Sequence, residues 1–125
     1  MYTVENYYKT LIEINGSKFY AILFPLDDEK MFKEQLEIIK KEFKKARHYV
    51  YAYRTNTSTK SNDDGEPKGT AGRPILEVLY KKELINVALV VVRYFGGSKL
   101  GAGRLLRTYV NSASSVIENA NLIQM

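Results

Sequence analysis

The feature that most constrains the fold is an unbroken apolar run followed at once by a cluster of glycines. Residues 87–92 read VALVVV, so a strand built from them has no face suited to water and must be covered on both sides or heavily flanked. We predict a central strand over Val87–Tyr94. The segment 95–103, FGGSKLGAG, predicts a tight turn. Beyond it, apolar residues recur at three- and four-residue steps from Leu105 to Ala120, which predicts a long helix.

The first quarter of the chain carries a hairpin signal followed by a helix signal. Two short apolar stretches flank Asn15 and Gly16, and Asn-Gly between such stretches is typical of a two-residue hairpin turn. Pro25 ends the second stretch, acidic residues follow it, and apolar residues then recur at helical spacing between Phe32 and Phe43. We expect two antiparallel strands and then a helix.

The segment His48–Arg54 is rich in aromatic and β-branched residues, which predicts a further strand. Alternation places small residues on one face and tyrosines on the other. The face with small residues suits packing beneath a helix. For Tyr51 and Tyr53 two interpretations stay open: ordinary cross-strand aromatic packing, or an uncovered face for stacking or for a protein partner.

The remaining elements complete a predicted order of β-β-α-β-α-β-α. Residues 55–72 are polar and predict a loop, and Pro74 favours the first turn of a helix that ends near Leu84. We therefore predict a two-layer α/β (α+β) fold, with residues 1–125 as one domain, a mixed sheet of about four strands and the helices on one face. An uncovered opposite face would allow self-association into a homo-oligomer.

Composition favours an anionic partner and excludes cysteine chemistry. The formal charge is +5 and the isoelectric point is near 9.3, which favours RNA, phosphates or acidic protein surfaces. The absence of cysteine excludes a disulfide framework, a thiolate zinc site and a cysteine nucleophile. No signal-peptide pattern and no apolar run near the length of a membrane helix is present. We expect a cytoplasmic protein without membrane contact.

Cations and glycines cluster where the predicted central strand meets the final helix. A strand, turn and helix in this order present backbone amides and a positive helix end to an anion. The candidate anion or nucleic-acid site comprises Arg73, Arg93, Gly96, Gly97, Lys99, Gly101, Gly103, Arg104 and Arg107. The spacing matches neither the phosphate loop of nucleotide-hydrolysing enzymes nor the dinucleotide fingerprint. The other interpretation is that the glycines only permit a tight connection.

A second candidate site is the acidic loop formed by Asp63, Asp64 and Glu66. Carboxylates suit a divalent cation or acid–base chemistry, but the spacing departs from the calcium-loop pattern. Two other interpretations are a simple acidic turn, and pairing of these acids and Arg73 with the cations after the central strand, which would join the two glycine loops. The sole histidine, His48, is predicted to be structural. We predict no catalytic residue, no metal ligand and no cofactor.

Three segments resemble the signatures of the IMPACT/YigZ family. They are H-x-x-Y-A-Y-R at 48–54, D-D-G-E-P-x-G-T-A-G-R-P-I-L at 63–76 and V-V-V-R-Y-F-G-G-x-K-L-G-A-G at 90–103, with Arg107 and Tyr109 beyond. They occur in the order that the family shows. The sequence departs from the family at Tyr49 and Val50, where Asn and Cys are usual, and at Arg104, where glycine is usual.

The resemblance implies a fold like the second domain of ribosomal small-subunit protein five, with helices on one side of the sheet and a left-handed crossover. Eukaryotic members carry an RWD domain and regulate translation during amino-acid starvation, by competing for the activator of a kinase that phosphorylates an initiation factor. Bacterial members add a ferredoxin-like domain. This chain shows neither extension, so we expect a minimal member or an excised domain.

The resemblance supplies no catalytic residues. The basic charge, the alternating tyrosines and the lack of a catalytic constellation also favour binding over catalysis. We predict a non-enzymatic binding module that regulates translation or the stress response and contacts RNA or a ribosome-associated protein through the cationic loop and the face of Tyr51 and Tyr53. The alternative is a small-ligand or phosphate-binding enzyme that uses the glycine-rich loop and the acidic loop.

Overall fold

The computed structural model describes residues 1–125 and contains one large sheet with three helices. The sheet strands are β2 (Tyr8–Ile14), β3 (Ser17–Pro25), β4 (His48–Arg54), β5 (Thr59–Asn62) and β6 (Val87–Tyr94). The helices are α1 (Glu29–Glu42), α2 (Gly72–Lys81) and α3 (Ala102–Glu118). A separate antiparallel pair, β1 (Tyr2–Thr3) with β7 (Ile123–Gln124), joins the two ends of the chain. No helix has the length and apolar character needed to cross a membrane.

Strand β6 is the central strand, as predicted. The sheet order is β2-β3-β6-β4-β5 and every neighbouring pair is antiparallel. Each residue from Val87 to Val92 is 0% exposed. A strand that is apolar at every position is stable only where both of its faces are covered.

The predicted hairpin and the predicted start of the first helix are both confirmed. Asn15 and Gly16 form the two-residue turn between β2 and β3, with φ values of 49° and 87°, the left-handed conformation that a type I′ turn requires. The Asp28 side chain accepts a hydrogen bond of 2.8 Å from the Met31 amide and so caps α1.

The α+β class is confirmed, whereas the prediction that all helices lie on one face is wrong. Helices α2 and α3 pack on one face of the sheet, in a core that contains Leu89 and Val91. Helix α1 packs on the other face, in a core that contains Ala88 and Val90. The fold therefore has three layers, because both faces of β6 are apolar and each requires a covering helix. The open sheet face expected to support self-association is covered.

The sheet also differs from the prediction in size and in strand direction. It has five strands rather than about four, and its ladders are antiparallel rather than mixed. The added strand β5 has the sequence TKSN and forms one edge of the sheet, with three of its four residues exposed. Such a strand has no apolar alternation, so the sequence pattern predicted a loop there.

The idea of an exposed stacking face at Tyr51 and Tyr53 is also wrong. These side chains are 9% and 1% exposed. They lie beneath α1, where their ring centroids are 4.5 and 4.8 Å from that of Phe32. The interpretation as ordinary aromatic packing stands, because α1 covers this face of the sheet.

Candidate functional site

A recess of about 290 Å³ opens where β6 ends and α3 begins. Its lining includes three cationic side chains, Arg47, Arg93 and Lys99, and one carboxylate, Glu66. The other lining residues are His48, Pro67, Phe95, Leu100, Gly101, Ala102 and Leu105. The recess, defined by these residues, therefore carries an excess of positive charge. Arg47 and Lys99 are exposed, so both are available to a ligand from solvent.

The N-terminal end of α3 borders the recess and adds to this positive character. The first helical residue is Ala102, and the preceding Gly101 has φ 79° and caps the helix without a side chain. The first turn holds no acidic residue. Backbone amides at a helix start lack intrahelical acceptors and carry the positive end of the helix dipole. An anion in the recess would therefore lie next to unpaired amide donors.

Arg93 lies in the wall of the recess, and Glu66 compensates its buried charge. Alternation along β6 places Arg93 on the face that packs against α3, and it is 5% exposed. Its Nη1 atom donates to the two Glu66 carboxylate oxygens over 3.0 and 2.8 Å, and its Nε has no acceptor. A buried guanidinium is costly unless a partner such as this carboxylate is present.

Two further side chains complete the buried network around Glu66. The Tyr109 hydroxyl of α3 donates to Oε2 over 2.5 Å. His48 Nε2 lies 3.3 Å from Oε1, while its Nδ1 lies 2.6 Å from the Asp64 carbonyl oxygen. Since a carbonyl oxygen only accepts, Nδ1 carries the hydrogen and donates. Glu66 thus links β4, β6 and α3, and it joins the acidic loop to the end of the central strand.

Tyr109 makes stability fall at alkaline pH. Burial raises the pKa of its hydroxyl well above the ordinary 10.0, and the Glu66 carboxylate raises it further. Above pH 10 the unfolded chain loses this proton while the folded chain keeps it. The stabilising contribution is complete below pH 10 and declines above it, by about 1.4 kcal/mol per pH unit. Urea unfolding between about pH 9 and 11.5 should show a shallower decline for Tyr109→Phe than for wild type.

The control for this pH experiment is Tyr80→Phe. Tyr80 is 47% exposed and lies outside the network around Glu66, so this variant should keep the wild-type decline. Equal declines for Tyr109→Phe and the wild type would contradict the assignment. At neutral pH, Tyr109→Phe should also lose about 1.5–3 kcal/mol, the usual contribution of a hydrogen bond to a charged group.

The other two acidic-loop residues bind backbone amides. Asp63 accepts hydrogen bonds from the amides of Gly69, Ala71 and Gly72, over 2.9, 3.2 and 2.8 Å, and thereby fixes the start of α2. The Asp64 carboxylate accepts from the Tyr49 amide over 2.7 Å. No three metal-binding side chains come together. The acidic loop therefore pairs through Glu66 with Arg93 inside the central strand, and not with the cations after that strand as predicted.

The glycines of the β6–α3 turn have two distinct roles. A Cβ atom on Gly96 would overlap the Gly16 carbonyl oxygen, and one on Gly97 would overlap the Asn15 carbonyl oxygen. Both glycines thus allow the turn to pack directly on the hairpin. Gly101 has open space around it and lines the recess. Gly103 lies inside the first turn of α3.

The remaining predicted cations lie outside the lining of the recess. Arg73 pairs with Glu77 on the surface of α2, with 3.6 Å between Nε and Oε1. Arg104 lies 3.5 Å from the Asn15 side-chain oxygen, and Arg107 is exposed on α3. Arg93 and Lys99 are therefore the only cations of the predicted set that line the recess.

Arg47, His48 and Phe95 line the recess and were not among the residues predicted to bind an anion. Strand pairing brings Arg47 and His48 there: His48 lies opposite Arg93 in the β4–β6 ladder, and the Arg47 amide donates to the Arg93 carbonyl oxygen over 2.9 Å. Phe95 directly follows β6. For Arg47, the only signal in the sequence was a cation directly before the predicted strand His48–Arg54. Without the strand order, that signal could not be connected to the glycine turn.

Comparison with characterised families gives a consistent result. Residues 15–117 match the sequence model of the Impact N-terminal domain. The chain is 40% identical over 126 residues to IMPACT family member YvyE of Bacillus subtilis (strain 168), covering 98% of the chain and 58% of that protein. It is 37% identical over 102 residues to IMPACT family member YigZ of Escherichia coli (strain K12), covering 78% of the chain and 50% of YigZ. The chain thus spans about half the length of the curated relatives it matches.

Two solved structures resemble this fold. The crystal structure of a hypothetical protein superposes with a TM-score of 0.93 at 29% identity, over 98% of this chain and 62% of the other. The two-domain translational regulator Yih1 matches with a TM-score of 0.58 at 26% identity, over 93% of this chain and 47% of Yih1.

Proposed function

The chain belongs to the IMPACT family, and we propose that it is a non-enzymatic cytoplasmic binding module in the regulation of translation or the stress response. Its partner is RNA or a protein of the translation machinery. The translational setting is supported by the description of Yih1 as a translational regulator. We favour RNA as the ligand of the recess, on the geometry below.

One observation carries the proposal: three cations from separate parts of the chain converge on the positive end of a helix. Arg47 directly precedes β4, Arg93 is the last buried residue of β6, and Lys99 lies in the turn before α3. A phosphate group in the recess would meet these side chains and the unpaired amides of α3 together. Because Glu66 holds the Arg93 guanidinium in place, little ordering of that side chain is needed on binding.

This arrangement binds the backbone of a nucleic acid and does not read its sequence. Contacts to phosphate position a ligand, whereas contacts to base edges specify it. Each phosphate contact releases about one counterion, so RNA affinity should fall steeply as the salt concentration rises.

Replacing Lys99 with alanine should weaken RNA binding and reduce its salt dependence. For a single-stranded oligouridylate of about 12 nucleotides, we expect the slope of log K against log salt to fall by about 0.7. Filter binding between about 50 and 200 mM salt measures this slope. The matched control is Arg73→Ala, which removes the same charge from a site outside the recess and should keep the wild-type slope.

The alternative to RNA is a partner protein of the translation machinery. If no salt-sensitive RNA binding is found, retention of a translation factor after RNase treatment would support the protein form. A partner lost on RNase treatment would instead support RNA. Equal weakening of RNA binding by Lys99→Ala and Arg73→Ala would mean that net charge, and not the recess, drives binding.

A second candidate function, a phosphate-binding enzyme, is favoured by the presence of Glu66 and His48 beside Lys99 in the recess. Both Glu66 oxygens and both His48 ring nitrogens already have partners, so neither side chain is free as an acid or base. A phosphate-release assay with ATP and Mg²⁺ separates the two functions, because a binding module would hold a nucleotide without cleaving it. Release of phosphate that is lost in Lys99→Ala would favour the enzyme.

A further inference from the structure

A second cavity adjoins the recess, and Phe95 lines both. This aromatic groove, of about 380 Å³, is lined by Gly16, Lys18, Tyr20, Phe43, Tyr94 and Phe95. Four of its six lining residues are aromatic, one is a cation and none is acidic. The groove therefore offers ring surfaces next to a site suited to phosphate.

The rings of the aromatic groove are held in fixed positions. The ring of Tyr20 lies 4.9 Å from that of Phe43 and 6.1 Å from that of Tyr94. The Tyr94 hydroxyl donates to the Lys44 carbonyl oxygen over 2.9 Å. A ligand entering the groove would thus meet a preformed surface, which lowers the entropy lost on binding.

Phe95 has no role in either hydrophobic core. It is 39% exposed and belongs to neither of the two clusters of buried residues. Its ring lies 4.9 Å from the Arg47 guanidinium carbon and 5.5 Å from that of Arg93. Both arginines line the recess and neither lines the groove. Phe95 therefore separates a cationic cavity from an aromatic one.

A nucleotide combines the two chemistries that these cavities offer, an anionic phosphate and a flat ring beside it. We propose that the aromatic groove binds a base of single-stranded RNA by stacking on Phe95, while the adjacent phosphate lies in the recess. This inference rests on the proposed RNA binding and specifies its form. Stacking on protein rings requires an unpaired base and tolerates any sequence. A base-paired duplex would reach the recess through its phosphates only.

The test compares three probes of about 12 nucleotides on the full chain: oligouridylate, an abasic oligomer with the same phosphates, and a duplex. Fluorescence anisotropy at one salt concentration gives each Kd. Wild type should bind oligouridylate about tenfold more tightly than the abasic oligomer, since one stacked base contributes about that factor. Phe95→Ala should abolish this tenfold difference between oligouridylate and the abasic oligomer, whereas Phe95→Trp should preserve it.

The matched control is Tyr80→Ala. Tyr80 is another exposed aromatic residue with an arginine over its ring, at 4.5 Å from Arg54, and it lines neither cavity. It should retain the wild-type preference for bases. Circular dichroism of each variant verifies the fold.

The possible results distinguish a failure of the proposed base site from a failure of the proposed phosphate site. Equal affinity for oligouridylate and the abasic oligomer, unchanged in Phe95→Ala, would overturn the base site. Binding that still depends on Lys99 would in that case leave the proposed function intact. If none of the three probes binds, RNA binding itself fails and the base site fails with it.

Discussion

Replacing Glu66 with glutamine is expected to lower the free energy of unfolding by about 3–5 kcal/mol. The substitution preserves the size of the side chain and removes only its charge. Arg93 would then remain buried, at 5% exposure, without a counterion. Because a domain of this size is stable by only about 5–15 kcal/mol, Glu66→Gln would remove much of the total. Urea unfolding at pH 7 measures the change.

Two variants test whether the uncompensated charge causes this loss. Glu77→Gln removes a carboxylate from the exposed pair with Arg73 and should change stability by less than about 0.5 kcal/mol. The double variant Glu66→Gln/Arg93→Met removes both charges and should recover most of the stability. A loss below about 1 kcal/mol for Glu66→Gln would contradict the description of Glu66 and Arg93 as a buried, mutually dependent pair.

Replacing Gly96 with alanine is expected to lower the free energy of unfolding by about 3 kcal/mol. The new Cβ would overlap the Gly16 carbonyl oxygen, which belongs to backbone and cannot rotate away. The β6–α3 turn and the β2–β3 hairpin would have to separate. The hydrogen bond of 3.3 Å from the Ser98 amide to the Asn15 carbonyl oxygen would weaken with them.

The same substitution at Gly103 should have the opposite sign. Gly103 lies in the first turn of α3, and its Cβ would lie 3.5 Å from Arg107 Nη1, an ordinary contact. Alanine should stabilise the helix there by up to about 1 kcal/mol. Thermal unfolding of both variants gives the comparison. A Gly96→Ala variant as stable as the wild type would show that the two turns do not pack as described.

The three segments that resemble the family signatures meet at one buried network. His48 comes from the first segment, Glu66 from the second and Arg93 from the third, and Tyr109 lies beyond them. This network supports the wall of the recess. Its separate parts were visible in the sequence, while their convergence depends on the pairing of β4 with β6.

Local patterns predicted the elements better than their arrangement. The apolar run of β6, the Asn15–Gly16 turn and the helices α2 and α3 each have a signal within a few residues. The side on which α1 packs has no such signal, since it depends on which face of the whole sheet is still uncovered. The run at 87–92 indicated cover on both faces, and the burial of Tyr51 and Tyr53 follows from it.

The candidate site was predictable only in part. Lys99 and Gly101 were accessible to sequence reasoning because the strand, turn and helix that place them are consecutive. Arg47 was not, because strand pairing brings it to the recess. Phe95 lies in the same consecutive segment as Lys99, but an uncharged ring gave no signal for an anion site. Arg73 was predicted to bind an anion together with Lys99, but the structure places it on the surface of α2, where it pairs with Glu77.

The most direct test of the central claim is the salt dependence of RNA binding by Lys99→Ala beside Arg73→Ala. If the recess holds phosphate, loss of Lys99 weakens binding and lowers the salt slope, while loss of Arg73 leaves both unchanged. Identical behaviour of the two variants, or RNA affinity insensitive to salt, would show that the recess is not the binding site.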